Sequence, residues 1–257
     1  MICVHFYRIK LQSIFNTHWR YRPALNNLFD TIHSQFVKCF IVDDRYLTLI
    51  NGIGVTVKVS LLAVIIGVIL GFIICLCKLS KDRFLSCLAN AYMDIIRGTP
   101  SVTQLMIIYF VVFSSVRWEK WIIAAIAFGI NSGAYVAEIF RAGILSIDKG
   151  QTEAGRSLGL SEFQTMSRIV FPQAIKNVFP SLSNEFIVLI KETAIVGYVG
   201  LVDIQKAGDF IKSATYIPFM PLFATAVIYY VLIKILTILL KKIEDRLRLS
   251  DGNTEVG

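Results

Sequence analysis

Long stretches of apolar residues without any charged side chain place the strongest constraint on what this chain can fold into. Four such stretches occur, at 59–77, 98–116, 122–137 and 213–233. A helix needs about 20 mostly apolar residues to cross the hydrocarbon core of a membrane. The composition agrees, because 55% of the residues are hydrophobic and 17% are charged, against about 45–50% and about 25% in soluble domains. The sequence therefore predicts a helical protein that spans a membrane.

A fifth and weaker span is predicted over 174–190, where polar residues and a proline interrupt the apolar run. Basic residues mark cytoplasmic loops, and they are concentrated at 78–97, at 141–176 and after residue 240. Five spans place all three segments inside the cell, with the N-terminus outside and the C-terminus in the cytoplasm. We therefore predict an all-α, polytopic protein of the cell membrane (plasma or inner), with about five transmembrane helices and a helix in its cytoplasmic loop.

The chain is predicted to have three parts. Residues 1–46 form an N-terminal extension, residues 47–245 form the transmembrane domain with a cytoplasmic loop at 141–172, and residues 246–257 form a cytoplasmic tail. Apolar residues at helical spacing in the extension predict an amphipathic helix lying in the membrane interface. These residues are Leu28, Phe29, Ile32, Phe36, Cys39 and Phe40. A poorly ordered leader is the alternative interpretation.

Motifs for bond-making chemistry are missing or lack their context. The dipeptide Gly-Lys, which a phosphate-binding P-loop requires, does not occur, and the five cysteines form no metal-binding pattern. Residues 155–159 match the G-x-S-x-G nucleophile pattern, but that pattern needs a later histidine, and every histidine precedes it. The basic residues follow the predicted loops, which argues against nucleic-acid binding. We predict no enzyme activity, no catalytic residue, no metal and no cofactor in this chain.

The predicted cytoplasmic loop carries the signals of two short helices. The first opens at Asp148 or Gly150 and ends before Gly159, which suits the left-handed position after a helix. Ser161 and Gln164 form an S-x-x-Q capping box that opens the second helix. Two capped helices between spans are expected to form a rigid unit, which can transmit a movement from a soluble partner to the membrane-spanning helices. A simple connector is the alternative from periodicity alone.

Residues of this loop resemble the signature of the permease subunits of ABC importers. Glu153-Ala154-Gly155, then Gly159, then Ile-Val-Phe-Pro at 169–172 is similar to the pattern E-A-A-x3-G-x9-I-x-L-P. The departures are Gly155 for the second alanine and phenylalanine for leucine. The glycine is expected to weaken the helix by roughly 0.5–1 kcal/mol relative to alanine.

Further segments narrow the resemblance to one branch. Arg-Gly-Thr-Pro at 97–100, Ala-Tyr-Val-Ala-Glu-Ile-Phe-Arg at 134–141 and Lys-Gly-Gln at 149–151 are similar to the polar-amino-acid uptake permeases, which carry histidine, glutamine and arginine. The resemblance covers about residues 47–245 and is most specific in the loop. It implies the membrane-spanning permease subunit of an ATP-driven amino-acid importer.

The resemblance also implies the partners of the chain. A second permease subunit, either another copy or a relative, completes the translocation path. Separate ABC ATPase subunits use ATP and magnesium, and an extracytoplasmic amino-acid-binding protein delivers the substrate. The loop helix is expected to insert into a groove of the ATPase. The residues that would make this contact are Gly150, Glu153, Ala154, Gly155, Ser157, Leu158, Gly159 and Leu160.

Polar residues inside predicted spans are candidates for lining a substrate path, because they are costly in lipid and usually face a cavity or a partner. These are Asn131, Ser132, Asn184 and Glu185. Hydrogen bonding between helices is the alternative role. Gly67 and Gly71 form a small-x-x-x-small pair that predicts close helix packing. Arg97, with Thr99 and Pro100, is predicted to begin a helix at the cytoplasmic face rather than to bind a ligand.

Two other functional classes stay open. An ion-driven secondary amino-acid carrier would need internal inverted repeats and ionisable residues near the middle of the membrane. The sequence shows no repeat, and Glu185 is the strongest such residue. A membrane scaffold without transport is the third class.

Overall fold

The computed structural model describes residues 28–252, with side chains as far as residue 247. The first 27 residues of the predicted extension and residues 253–257 of the predicted tail lie outside the described residues. The described part is helical and holds no strand, which confirms the predicted all-α fold.

The helices are numbered here in chain order, and several continue into a tighter or wider turn. They are α1 (28–36, followed by a π turn Val37–Ile41), α2 (Tyr46–Leu79), α3 (Arg83–Arg97), α4 (Ser101–Ile107, with a π turn Ile108–Val112), α5 (Lys120–Leu145), α6 (Lys149–Ser157), α7 (Glu162–Thr165, with a π turn Met166–Val170), α8 (Phe171–Glu192, followed by a 3-10 turn Thr193–Val199), α9 (Ile204–Thr215) and α10 (Phe219–Gly252).

Three helices of the described residues, α2, α5 and α10, are long and apolar enough to cross a membrane. The pair α3 and α4 meets the same criteria as one broken span, bent by 106°. The predicted fifth span coincides with α8, a 22-residue helix that is too polar to meet them. The predicted number of about five is therefore reached only when the bent pair and α8 are both included.

The predicted span at 98–116 is not one straight helix. α3 ends at Arg97 and α4 begins at Ser101, because Pro100 has no N–H to donate and disfavours a helical residue before it. The helix predicted to begin at Arg97, Thr99 and Pro100 begins at Ser101, while Arg97 itself is the last residue of α3.

Glycines bring the backbones of α2 and α5 close together. A Cβ at Gly71 would lie 2.6 Å from Cγ1 of Val136, and a Cβ at Gly67 would lie 3.1 Å from Cβ of Ser132. In lipid the hydrophobic effect does not drive helices together, because the lipid tails are as apolar as the side chains. Close van der Waals packing supplies the attraction instead. The predicted close packing at this glycine pair is confirmed, and α2 and α5 form the centre of the bundle.

A buried aspartate joins α2, α9 and α10 near the N-terminal end of α2. Asp203 caps α9 by accepting the backbone N–H groups of Gln205 and Lys206, and Tyr229 donates its hydroxyl to the same carboxylate at 2.9 Å. Burial raises the pKa of the Asp203 carboxyl. A Cβ at Gly52 would lie 2.7 Å from the carbonyl oxygen of Asp203, so glycine is what permits this approach of α2.

Residues ahead of α2 belong to the same packing. Cys39 and Phe40 are buried in a cluster with Ala207 and Ile211 of α9, so packing extends upstream of the boundary predicted at residue 47. The apolar residues of α1 that precede them are exposed, namely Leu28, Phe29, Ile32 and Phe36. Their position in a membrane interface stays a prediction.

Replacing Gly71 with alanine is expected to destabilise the protein by about 1–3 kcal/mol, the usual cost of overpacking. The new Cβ would overlap Val136 and come within 2.9 Å of the backbone nitrogen of Ala137. Gly54 is the matched control, because it lies on the same helix with nothing within 4 Å of its Cβ position. Gly54→Ala is therefore expected to be neutral or stabilising. Thermal unfolding of the two purified variants in detergent measures the difference, and equal midpoints would contradict this packing.

Candidate functional site

The loop between α5 and α8 is built as the sequence predicts. The Asp148 carboxylate caps α6 by accepting the Gly150 N–H at 2.6 Å. Gly159 is left-handed, with φ of 81°, and the next N–H, that of Leu160, donates to the Gly155 carbonyl at 3.1 Å, which completes a Schellman motif. The predicted capping box of Ser161 opens α7. Each helix end in this segment therefore has its own local partner.

α6 packs against the segment after it through Gly155, the buried residue of that helix. A Cβ at this position would lie 2.8 Å from Cγ2 of Thr165 and 3.0 Å from Cδ1 of Ile169. The glycine that stands in place of the second alanine of the signature therefore permits a close contact between α6 and α7. The packing gained by this contact offsets the loss of helix propensity that the sequence predicts for Gly155.

The other side of this segment is exposed. Of the eight predicted coupling residues, Gly155 is buried and Leu160 is partly buried, while Gly150, Glu153, Ala154, Ser157, Leu158 and Gly159 are exposed. Leu158 is 81% exposed, and so is Phe163 to 80%. Phe163 is not among the predicted residues, although a large apolar residue in a polar loop was a signal for it. These two side chains are therefore candidates for contact with another protein.

We call the exposed face of residues 149–163 the peg surface. It is directly continuous in the chain with α5 and α8: α5 ends at Leu145, three residues before the cap of α6. On the other side, the π turn Met166–Val170 passes directly into α8.

A cavity of about 880 Å³ lies between the end of α3, α5 and α8. Its wall combines polar, charged and small residues: Arg97, Tyr135, Glu138, Ile139, Ala142, Gly143, Ser146, Lys176, Asn177, Pro180, Ser181 and Glu185. It reaches the C-terminal end of α5 at Ser146, next to the peg surface. Because its wall carries charged residues of both signs, we call this open cavity the polar cavity.

Glu185 is the candidate path residue that lines this cavity. Ser132 donates its hydroxyl to Oε1 of Glu185 at 2.8 Å, so the carboxylate is held from α5. Arg97, which sequence reasoning did not assign to the site, lies in the same wall with its guanidinium 5.6 Å from the centre of the Tyr135 ring.

Asn131 has a different position from the one predicted for a path residue. It is buried, does not line the cavity, and donates to Oε1 of Gln104 at 2.8 Å. Gln104 in turn donates to the Ile96 carbonyl and to the Thr99 hydroxyl, each at 2.7 Å. Together these bonds fix the break between α3 and α4. Asn184 is exposed on α8 and is also outside the cavity wall.

A cluster of charged residues joins α2 and α5 near their C-terminal ends. Glu138 pairs with Lys78 of α2 at 3.2 Å and with Arg141 of its own helix. A charged pair at this depth needs both partners, because an unpaired charge in lipid is costly. Within residues 28–247, no group of histidine, cysteine or acidic side chains has the arrangement to hold a metal ion.

Comparisons with known proteins agree with this architecture. Residues 63–249 match the family of binding-protein-dependent transport system inner membrane components. A putative glutamine transport system permease protein of Rickettsia felis is 42% identical, over 79% of this chain and 94% of the relative. An arginine transport system permease protein of Bacillus subtilis is also 42% identical, over 79% and 94%.

Solved structures show the same fold. An amino acid ABC transporter, crystallised with histidines, is 41% identical with a TM-score of 0.74, covering 80% of this chain and 98% of the other. A methionine ABC transporter in an inward-facing conformation has a TM-score of 0.67 at 18% identity, covering 78% and 96%, and this likeness concerns the fold alone. The chain belongs to the family of binding-protein-dependent transport system inner membrane components. It is thus a multi-pass component of a transport system, which does not favour the ion-driven alternative.

Replacing Gly155 with alanine is expected to disturb the contact between α6 and α7, because the new methyl group would press on Cγ2 of Thr165. Thr165→Ser removes that methyl group and is expected to restore most of the loss, so the two changes should be non-additive by about 0.5–3 kcal/mol. Thr152→Ala, on the exposed side of α6, is the control. Thermal unfolding and protease cleavage within 149–170 measure the effect. Additive effects of the two substitutions would contradict this packing.

Proposed function

We propose that this chain is the membrane-spanning permease subunit of an ATP-driven importer of amino acids. The observation that carries the proposal is the capped, close-packed peg surface, which is continuous with the two helices that wall the polar cavity. A movement imposed on α6 and α7 is therefore passed to α5 and α8 and changes the shape of the cavity.

The partner that moves the peg surface is a separate ABC ATPase subunit. Leu158 and Phe163 are the apolar anchors that would fill its groove, and a few residues buried in well-packed pockets carry most of the energy of a protein interface. ATP and magnesium are bound and used by the ATPase, while this chain binds no cofactor. The eight coupling residues of the sequence prediction keep this role as part of the proposal.

A second permease subunit, a copy of this chain or a relative, closes the cavity into a path. An extracytoplasmic amino-acid-binding protein delivers substrate to the outer end. The basic residues Lys241 and Lys242 near the end of α10 support a cytoplasmic C-terminus. With five spans in the chain, a cytoplasmic C-terminus implies an N-terminus on the outside.

The substrate is an amino acid, because the cavity wall offers groups for both of its charges. Arg97 suits an α-carboxylate and Glu185 suits an α-ammonium group, since charge-assisted hydrogen bonds are stronger than neutral ones. The names of the glutamine and arginine permeases among the relatives support this class of substrate.

Leu158→Asp is expected to abolish binding of the ATPase and ATP-driven uptake, because a carboxylate replaces an apolar anchor at the peg surface. Membrane insertion should be unchanged, since Leu158 is 81% exposed. Asn90→Asp places a similar charge on an exposed position of α3 and is the control. Co-purification with the ATPase and uptake into proteoliposomes are the measurements. Normal uptake by Leu158→Asp would refute the proposed coupling.

Glu185→Gln is expected to lower uptake about tenfold or more, the order of one lost charge-assisted interaction, while binding of the ATPase is kept. Glutamine still accepts the Ser132 hydrogen bond, so the helices stay in place. Asn184→Ala, one residue away and outside the cavity wall, is the control and should transport normally. Uptake and ATP hydrolysis are measured together in proteoliposomes. Equal uptake by both variants would remove Glu185 from the path.

Dissipating the ion gradients separates the proposal from an ion-driven carrier. Uptake by the reconstituted complex is expected to continue while ATP is present and to stop when it is removed. The reverse result would favour the carrier.

A further inference from the structure

α8 has a second concave surface, on the side away from the polar cavity. A groove of about 410 Å³ runs between α2 and α8 and is lined by apolar side chains alone. Its floor is aromatic: the ring of Phe72 lies 5.5 Å from that of Phe140 and 5.8 Å from that of Phe171, in edge-to-face contacts. Nothing in the function proposed above uses this groove.

The rim of the groove faces outward from the bundle. On α2 it is formed by Ile69 and Ile73, which are 58% and 50% exposed. On α8 it includes Ile175, which is 39% exposed. Apolar side chains that stay this open on a membrane-spanning helix are in contact with lipid or with another protein.

The depth of the groove matches one leaflet of the membrane. The charge-free run of α2 ends at Cys77, and the groove residues 68–73 lie four to nine positions before it. At 1.5 Å per residue this is about 6–14 Å into the hydrocarbon core, whose half-thickness is about 15 Å. The groove is therefore level with the acyl chains of the leaflet next to the peg surface.

The two faces of α8 differ in chemistry and in direction. Lys176, Ser181 and Glu185 face the polar cavity, whereas Ile175 and Phe179 face the groove. If two permease subunits share the cavity, as proposed above, the groove points away from the partner subunit. This step alone rests on the proposed function.

We propose that the groove binds an acyl chain of a membrane phospholipid. An acyl chain has no polar group that needs a hydrogen bond, and the side chains that line the groove offer none. A loop of polypeptide at this depth would bring backbone N–H and C=O groups that lipid cannot satisfy. The volume lies within the range of about 300–1,000 Å³ of ligand-binding pockets.

The groove lies between two helices that are connected to the peg surface in different ways. α2 is fixed to α5 by the contacts at Gly67 and Gly71, whereas α8 leads directly from α7 and the π turn. A bound acyl chain fills the space between these two helices, so it opposes any approach of α8 to α2.

The test uses the full-length chain in bilayers of phosphatidylcholine and phosphatidylglycerol, with a phospholipid that carries a photoactivatable diazirine in one acyl chain. After irradiation, labelled residues are located by mass spectrometry. Labelling at 69–73 and 175–179 is expected to exceed, several-fold, that at 231–235 of α10, where Val231 and Ile235 are as exposed as the groove rim. Similar labelling at all three places would overturn the proposal.

Two variants make the result specific. Ile73→Trp fills the groove and is expected to lower labelling at 175–179 several-fold. Ile65→Trp, two turns earlier on the same face and 54% exposed, lies outside the groove and should leave labelling unchanged. An equal effect of both variants would count against a built site.

A second copy of the chain is the competing occupant. Formation of a disulfide between two Ile73→Cys chains would place a protein there and refute lipid binding, whereas no cross-link is expected. These readouts need neither the ATPase nor a substrate, so a failure of this proposal is distinguishable from a failure of the proposed function.

Discussion

The contact between α2 and α5 is the constraint on which the rest of the structure depends. Gly129 of α5 permits the same close approach as Gly67 and Gly71 of α2, because a Cβ at Gly129 would lie 2.6 Å from Cγ2 of Ile66. Glycines on both helices remove the side chains that would hold the backbones apart, and close-packed surfaces of this kind move together. Because α5 runs almost directly into α6, the peg surface is attached to the centre of the bundle and not to a loose edge.

Two neighbouring residues of α5 organise the helices around this centre. Asn131 holds the broken pair α3 and α4 through Gln104, and Ser132 holds α8 through Glu185. Hydrogen bonds are electrostatically stronger where water is excluded, so single bonds suffice to set these positions. Glu185 lies in the cavity wall and is therefore a candidate for contact with a ligand. Gln104 is buried and therefore supports the structure.

α8 has one polar and one apolar face, which explains why it is the least apolar of the predicted spans. A helix that faces a polar cavity on one side and apolar surface on the other needs no continuous apolar surface, unlike α10, which is exposed along most of its length. Lys176, Asn177 and Glu185 therefore lower its average hydropathy without preventing its place in the bundle. Composition alone could not reveal this, because it sums over both faces.

The amino-acid sequence determined the four apolar runs and the basic segments on its own, because these are stretches of consecutive residues. It also determined the caps at Asp148, Gly159 and Ser161, which depend on residues within about four positions of one another. Tertiary structure alone decided which polar residue reaches the cavity. It placed Arg97 in the wall and Asn131 behind it, and it made Gly155 a packing residue against Thr165. Those roles depend on contacts such as the one between Ser132 and Glu185, which are 53 positions apart, and no local pattern specifies which faces of distant helices will meet.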